Sequence, residues 1–101
     1  MRTLTIEAHK YFKNMYAPYI IFYRVDDNYL TFYEDAKTVS SVVGLKIEEG
    51  IVIVPESDIF EYLKSLSEHG VYCKLVSVRN ASGKYDIPDV SLIESEEKQD
   101  Y

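Results

Sequence analysis

The spacing of apolar residues predicts two helices in the first half of the chain. Apolar side chains recur every three or four positions over residues 5–16, and Pro18 ends the run. A second helix is expected to begin at Glu34, where acidic residues favour the start of a helix. Gly44 is expected to close it, since glycine readily adopts the left-handed backbone that ends many helices.

A third helix has the most regular pattern of the chain. It is expected to begin at Ser57 or Asp58 and to end at Gly70. Asp58 and Glu61 have the spacing of a capping box. Its apolar stripe follows the i, i+3, i+4, i+7 spacing and consists of Ile59, Tyr62, Leu63 and Leu66.

Short runs of apolar and aromatic residues predict strands between the helices. The continuous apolar run Tyr19–Val25 is typical of a strand buried on both faces. The Asp26–Asn28 segment favours a turn, so we expect a hairpin between this strand and a second strand over Tyr29–Tyr33. The other predicted strands are Leu45–Glu48, Ile51–Val54, Val71–Val78 and a weak edge strand over Tyr85–Ile93.

The order of these elements indicates the fold class. Helices and short strands alternate, which predicts an α/β (α+β) domain with a mixed sheet of about five strands packed by three helices. The length of 101 residues suits a single domain, which we assign to residues 1–93. Residues 94–101 contain four acids and one lysine, and we expect this tail to be disordered.

The formal net charge is −6, which argues mildly against a general nucleic-acid binder. The tail carries half of that charge, because its four acids and one lysine sum to −3. Residues 1–47 contain five acids and six bases and are therefore slightly basic. Once the tail is set apart, charge no longer excludes contact with a nucleic acid.

Candidate chemistry is sparse along the sequence. Cys73 is the single cysteine, and it lies in an apolar strand pattern, which favours a buried and inert thiol. The turn at Asp26 could suggest calcium, but Leu30 and Thr31 occupy the positions where a calcium loop needs an oxygen ligand and a glycine. We therefore expect no enzyme activity, no catalytic residue, no metal site and no cofactor. We also expect a cytoplasmic protein that does not associate with membranes.

The segment Tyr19–Lys37, which reads YIIFYRVDDNYLTFYEDAK, resembles domain I of the MutS family, the N-terminal mismatch-recognition domain of these DNA mismatch repair proteins. The residues that match the family pattern in register are Phe22, Tyr23, Arg24, Val25, Asp27, Tyr29, Phe32, Tyr33, Glu34, Asp35, Ala36 and Lys37. The resemblance extends over roughly residues 5–80. It implies the fold of that domain, here as a stand-alone small protein.

The same alignment shows that the residues that read mismatches in the family are replaced. In the family, a Phe-x-Glu motif inserts a ring beside the mismatch and hydrogen-bonds the displaced base. Asn28 stands at the Phe position, Leu30 at the Glu position, and Asp26 at the position of a preceding glycine. The resemblance therefore implies a non-catalytic binding module linked to DNA repair or mobile DNA, with weak binding that is not specific for mismatches.

A basic and aromatic surface is the candidate site for contact with double-stranded DNA. Four cations are expected to lie near one another if the first helix and the hairpin pack as in the family; the competing interpretation is ordinary surface charge. With the residues of the hairpin loop, the predicted nucleic-acid-binding residues are Lys10, Lys13, Arg24, Asn28, Tyr29, Leu30 and Lys37.

An interaction with proteins is the alternative function. The chain contains 10 Tyr and no Trp, and tyrosine suits surfaces that are half buried. Such a module would have kept the fold and lost contact with DNA. Its tyrosine-rich surface would then bind a protein partner or a second copy of the chain.

Overall fold

A computed structural model describes residues 4–88 of the chain. The predicted tail at 94–101 lies outside these residues, as does the part of the predicted edge strand after Pro88. Three α-helices, one short 3-10 helix over Glu56–Asp58 and six strands form within the described range. They are α1 (Ile6–Tyr16), β1 (Ile20–Val25), β2 (Asn28–Phe32), α2 (Tyr33–Val43), β3 (Ile51–Pro55), α3 (Ile59–Glu68), β4 (Cys73–Val76), β5 (Val78–Arg79) and β6 (Tyr85–Asp86).

The main sheet has four strands in the order β3-β2-β1-β4. β1 pairs antiparallel with β2 through the predicted hairpin and parallel with β4, so the sheet is mixed. β2 pairs antiparallel with β3 over its full length. β5 and β6 form a separate two-stranded sheet, so the predicted α+β class is confirmed with four strands in the main sheet rather than about five.

β1 is buried on both faces, as its continuous apolar run predicts. Ile21 and Tyr23 pack on the α1 side of the sheet together with Ala8 and Phe12. The alternate residues Ile20 and Phe22 pack on the side of α2 and α3. Because successive side chains of a strand point to opposite faces, this one strand joins both hydrophobic cores.

The helix ends show which local signals form. The Thr5 hydroxyl accepts a hydrogen bond from the Ala8 amide at 3.2 Å and so caps α1. Gly44 closes α2 with a φ of 76°, as its position predicts. The predicted capping box of α3 is wrong, because Asp58 ends a 3-10 turn with a helical backbone and makes no side-chain capping bond.

Three predicted strands differ in extent from those observed. Within the described residues, the predicted strand Tyr85–Ile93 is limited to Tyr85–Asp86, which pairs with β5 and not with the main sheet. Residues 45–48 form no strand, because the tight turn at Glu49 and Gly50 pairs only Glu48 with Ile51 before the two segments separate. The predicted strand Val71–Val78 is divided. Its first part forms β4 and pairs in parallel with β1. Its end leaves the main sheet, where Val78 pairs with Asp86 in the second sheet.

None of the helices within residues 4–88 has the length and apolar character required to cross a lipid bilayer.

Candidate nucleic-acid interface

The turn of the β1–β2 hairpin is fixed from two sides; we refer to it and the adjoining β6 as the hairpin end. Asp26 adopts a left-handed backbone with a φ of 51°, which aspartate tolerates better than most residues. Its amide donates to the Tyr85 carbonyl at 3.1 Å. The Asp27 carbonyl accepts from the Glu56 amide at 2.9 Å. The turn at the position of the family's reader motif is therefore fixed by backbone hydrogen bonds in this chain.

Two arginines meet on one tyrosine ring at the hairpin end. The Arg24 guanidinium carbon lies 4.5 Å from the centre of the Tyr85 ring, and the Arg79 guanidinium carbon lies 4.2 Å from it. Arg79 also donates to the Tyr85 hydroxyl at 2.9 Å and to the Gly83 carbonyl at 2.7 Å. Arg24 donates through Nε to the Asp26 carbonyl at 3.1 Å, so both side chains are positioned by short contacts. We call Arg24 and Arg79 the arginine pair.

The arginine pair keeps its charge available. Within residues 4–88, neither guanidinium forms a salt bridge with a carboxylate. Arginine stays protonated at all relevant pH values, and its planar fork matches two oxygens of a phosphate. The exposed carboxylates of Asp26 and Asp27 lie in the adjoining turn and weaken the local positive potential. The pair can therefore bind an anion, at a surface of low net charge.

The three loop residues of the predicted site differ in exposure. Asn28 is partly exposed at the start of β2. Leu30 is fully buried against α1, and Tyr29 is 7% exposed on the opposite face of the sheet. Asn28 is thus the member of the three with a side chain open to solvent, and the other two serve the hydrophobic cores.

The four predicted cations do not form one patch. Lys13 donates to the Tyr19 carbonyl at 2.7 Å, just before β1 begins, whereas Arg24 lies near the far end of the same strand. Five residues of extended chain separate these points by about 16 Å. Lys37 pairs with the Glu34 carboxylate at 3.0 Å on α2, and Lys10 is exposed on α1. The structure therefore places the four cations on different elements, and the nucleic-acid contact expected of them stays a prediction.

Sequence reasoning missed Arg79 and Tyr85 as members of the site. They face each other because β5 and β6 pair across a short loop, with Arg79 opposite Tyr85. The Asn80 side-chain oxygen holds this loop by accepting from the amides of Ser82 and Lys84 at 3.0 and 3.1 Å. A turn-forming asparagine between an arginine and a tyrosine was the signal available in the sequence.

A buried polar cluster lies under α1, towards the opposite end of the sheet. Asp35 is 4% exposed, and its carboxylate accepts from the Ile21 amide at 3.0 Å and from the Lys13 ammonium at 3.1 Å. The Nδ1 atom of His9 lies 3.1 Å from the Tyr23 hydroxyl, and its Nε2 atom lies 3.9 Å from Asp35. These contacts join α1, β1 and α2.

Burial lowers the pKa of the His9 imidazole from its ordinary value of 6.5; the nearby Asp35 carboxylate opposes this shift and the Lys13 ammonium adds to it. Burial also raises the pKa of the Tyr23 hydroxyl. At neutral pH His9 is therefore neutral and Tyr23 is protonated. This cluster acts as a structural link rather than as a charged surface.

We expect the free energy of unfolding to fall as the pH drops below 6.5. Below this pH the unfolded chain binds a proton at His9, whereas the folded chain binds that proton less readily because the pKa of His9 is lowered. Urea unfolding at several pH values between about 7.5 and about 5.5 measures how the free energy of unfolding depends on pH. His9→Gln should flatten it, whereas the exposed His69→Gln serves as control. Equal pH dependence in the wild type and in His9→Gln would refute the assignment.

Comparison with known proteins places this geometry in a family. The model of the family described as MutS domain I matches residues 3–86, which includes the hairpin end, the buried polar cluster and every element of the fold. A search of curated proteins found no match to the chain.

Proposed function

Because the chain belongs to the MutS domain I family, we propose that it is a non-catalytic module that binds double-stranded DNA weakly and does not select mismatches. In MutS this domain binds DNA. The observation that carries the proposal is the arginine pair stacked on Tyr85 beside the hairpin turn. It presents two guanidinium groups without a carboxylate partner among the described residues.

The composition of the hairpin end favours contact with phosphates over contact with bases. Guanidinium groups bind phosphate oxygens through paired hydrogen bonds, and such contacts position a protein on DNA without reading its sequence. The position that carries the aromatic wedge in the family holds Asn28, and the position of the base-reading carboxylate holds the buried Leu30. The proposed contact therefore has no group that would distinguish a mismatch.

The charges of the turn account for the expected weakness. Asp26 and Asp27 are exposed beside the arginine pair and repel the phosphates that the pair attracts. Few phosphate contacts and a low net positive potential give a low affinity. This affinity depends on salt, because each phosphate contact releases counterions. We therefore expect binding to be measurable at low ionic strength and to fade towards physiological salt.

The proposal of a non-catalytic module is supported by the raised pKa of the single cysteine, Cys73. Burial raises the pKa of Cys73 to about 11, and the charge of Asp35 contributes to the same shift. A thiol with such a pKa is protonated at neutral pH and is a poor nucleophile.

Replacement of both members of the arginine pair tests the proposal. In fluorescence anisotropy with a labelled duplex at low salt, Arg24→Gln/Arg79→Gln should bind at least about tenfold more weakly than the wild type. The slope of log affinity against log salt should fall by about two units, since two phosphate contacts are lost.

Lys46→Gln/Lys64→Gln is the matched control, because it removes the same charge from two exposed lysines in the loop after α2 and on α3. Circular dichroism establishes that each variant is folded. An equal loss of affinity in the control would show that binding depends on the overall charge of the protein and not on the arginine pair. No binding of the wild type at low salt would remove the proposal altogether.

Interaction with a protein is the second candidate function. It is favoured by exposed aromatic side chains away from the hairpin end: Tyr72 is 60% exposed and Tyr19 is 45% exposed. These two side chains line the same cleft.

A further inference from the structure

A cleft of about 360 Å³ lies at the end of the main sheet opposite the hairpin end. It is bounded by the end of α1, the first turns of α2 and the segment between α3 and β4. Tyr19 and Tyr72 stand beside each other at its mouth, because the Ile20 amide donates to the Tyr72 carbonyl at 2.9 Å. We call this site the tyrosine cleft. Its principal lining residues are Lys13, Pro18, Tyr19, Asp35, Thr38 and Tyr72.

The charged groups that line the tyrosine cleft cancel each other. The Lys13 ammonium lies 3.1 Å from the Asp35 carboxylate, which is buried. An ion pair of this kind leaves no net charge for a polyanion such as a nucleic acid to meet. The cleft is thus matched in charge to an uncharged partner.

Most hydrogen-bond donors of the cleft are already bonded within the protein. The backbone amides of Tyr19, Ile20 and Val71 are all occupied by carbonyls within the described residues. The Lys13 ammonium has three N–H groups, and its three acceptors are the Tyr19 carbonyl and the two oxygens of the Asp35 carboxylate. The exposed hydroxyls of Tyr19 and Tyr72 make no hydrogen bond among residues 4–88, and their O–H donors suit a ligand that offers carbonyl oxygens.

We propose that the tyrosine cleft binds a proline-rich peptide segment in the polyproline II conformation. Such a segment is uncharged and carries backbone carbonyls with few amide donors. Its rings pack against exposed aromatic side chains, and its conformation is formed before binding, which lowers the entropy cost. Tyr19 and Tyr72 supply the aromatic surface and the hydroxyl donors, and Pro18 extends that surface. The site is separate from the hairpin end and does not depend on binding to DNA.

Titration of the full chain into fluorescein-labelled decaproline tests this inference by anisotropy. We expect saturable binding that Tyr72→Ala weakens by about tenfold, since exposed aromatic anchors carry much of the affinity at such surfaces. Phe60→Ala is the matched control, because Phe60 is an exposed aromatic residue of α3 that does not line the cleft, at 73% exposure. The control should bind decaproline as the wild type does.

Two further probes separate the alternatives. A glycine–serine peptide of equal length should not bind, and labelled oligothymidine should not respond to Tyr72→Ala. Absence of decaproline binding by the folded wild type at millimolar concentration would overturn the inference. Tyr72-dependent binding of oligothymidine in place of decaproline would overturn it too, and would identify the cleft as a stacking surface for single strands. An effect of Phe60→Ala as large as that of Tyr72→Ala would exclude the cleft as the binding site.

Discussion

The substitution Leu30→Glu is expected to lower the free energy of unfolding by at least about 4 kcal/mol, a large part of the total stability of a small domain. Position 30 is where the MutS family carries its base-reading carboxylate, but in this chain Leu30 is fully buried against Leu4, Ala8 and Phe12. A glutamate there would bury an unpaired charge and remove apolar contacts at once. Restoring the family residue should therefore unfold this protein rather than restore mismatch reading.

Urea unfolding of Leu30→Glu at neutral and acidic pH measures this effect. Burial raises the pKa of such a carboxyl, so the loss of stability should shrink as the pH falls and the group becomes neutral. Asn28→Phe is the matched control from the same motif, because Asn28 is partly exposed at the turn. It should retain near wild-type stability. A stable and folded Leu30→Glu variant would show that this side chain can leave the core.

The substitution Asp35→Ala is expected to cost about 3–5 kcal/mol of stability. The Asp35 carboxylate holds together the Lys13 ammonium and the Ile21 amide, at 3.1 and 3.0 Å, and lies 3.9 Å from His9. Its removal leaves the Ile21 amide without this acceptor and the Lys13 ammonium without a counter-ion, with only the Tyr19 carbonyl as a partner, which costs more than the ion pair itself contributes. Both the packing of α1 and the start of β1 should loosen.

Thermal and urea unfolding of Asp35→Ala provide the measurement. Glu34→Ala is the control, since the neighbouring carboxylate is 84% exposed and its pair with Lys37 lies at the surface. That change should cost no more than about 0.5 kcal/mol. Equal losses in the two variants would contradict the structural role assigned to Asp35.

The sequence predicts the hairpin and the helices well because local signals agree there. The apolar run before Val25, the Asx residues of the turn and the glycine after α2 each specify one local conformation. The burial of β1 on both faces also follows from its unbroken apolar pattern. The segment at 45–48 alternates apolar and charged residues, as a half-buried strand would, and yet forms no strand, because pairing with β3 ends after one residue pair.

The sites depend on contacts that local patterns do not encode. Lys13 reads as a surface cation, yet its ammonium binds a carboxylate 22 residues away. The pairing of Arg24 with Arg79 on Tyr85 requires the second sheet to pack beside the hairpin. Tyr33 adopts a left-handed backbone with a φ of 56°, and the bond from its hydroxyl to the Leu4 carbonyl, at 2.6 Å, joins it to the start of α1. Aromatic residues rarely take that backbone, so no propensity predicts it.

We propose that this chain, a member of the MutS domain I family, contacts duplex DNA through phosphates without reading mismatches. Anisotropy titrations of the wild-type protein against a matched duplex and the same duplex with one G·T mismatch, each over a series of salt concentrations, test it most directly. We predict affinities that agree within about twofold and that fall together as salt rises. Binding of the mismatched duplex at least about tenfold more tightly, or binding that does not change with salt, would contradict the claim.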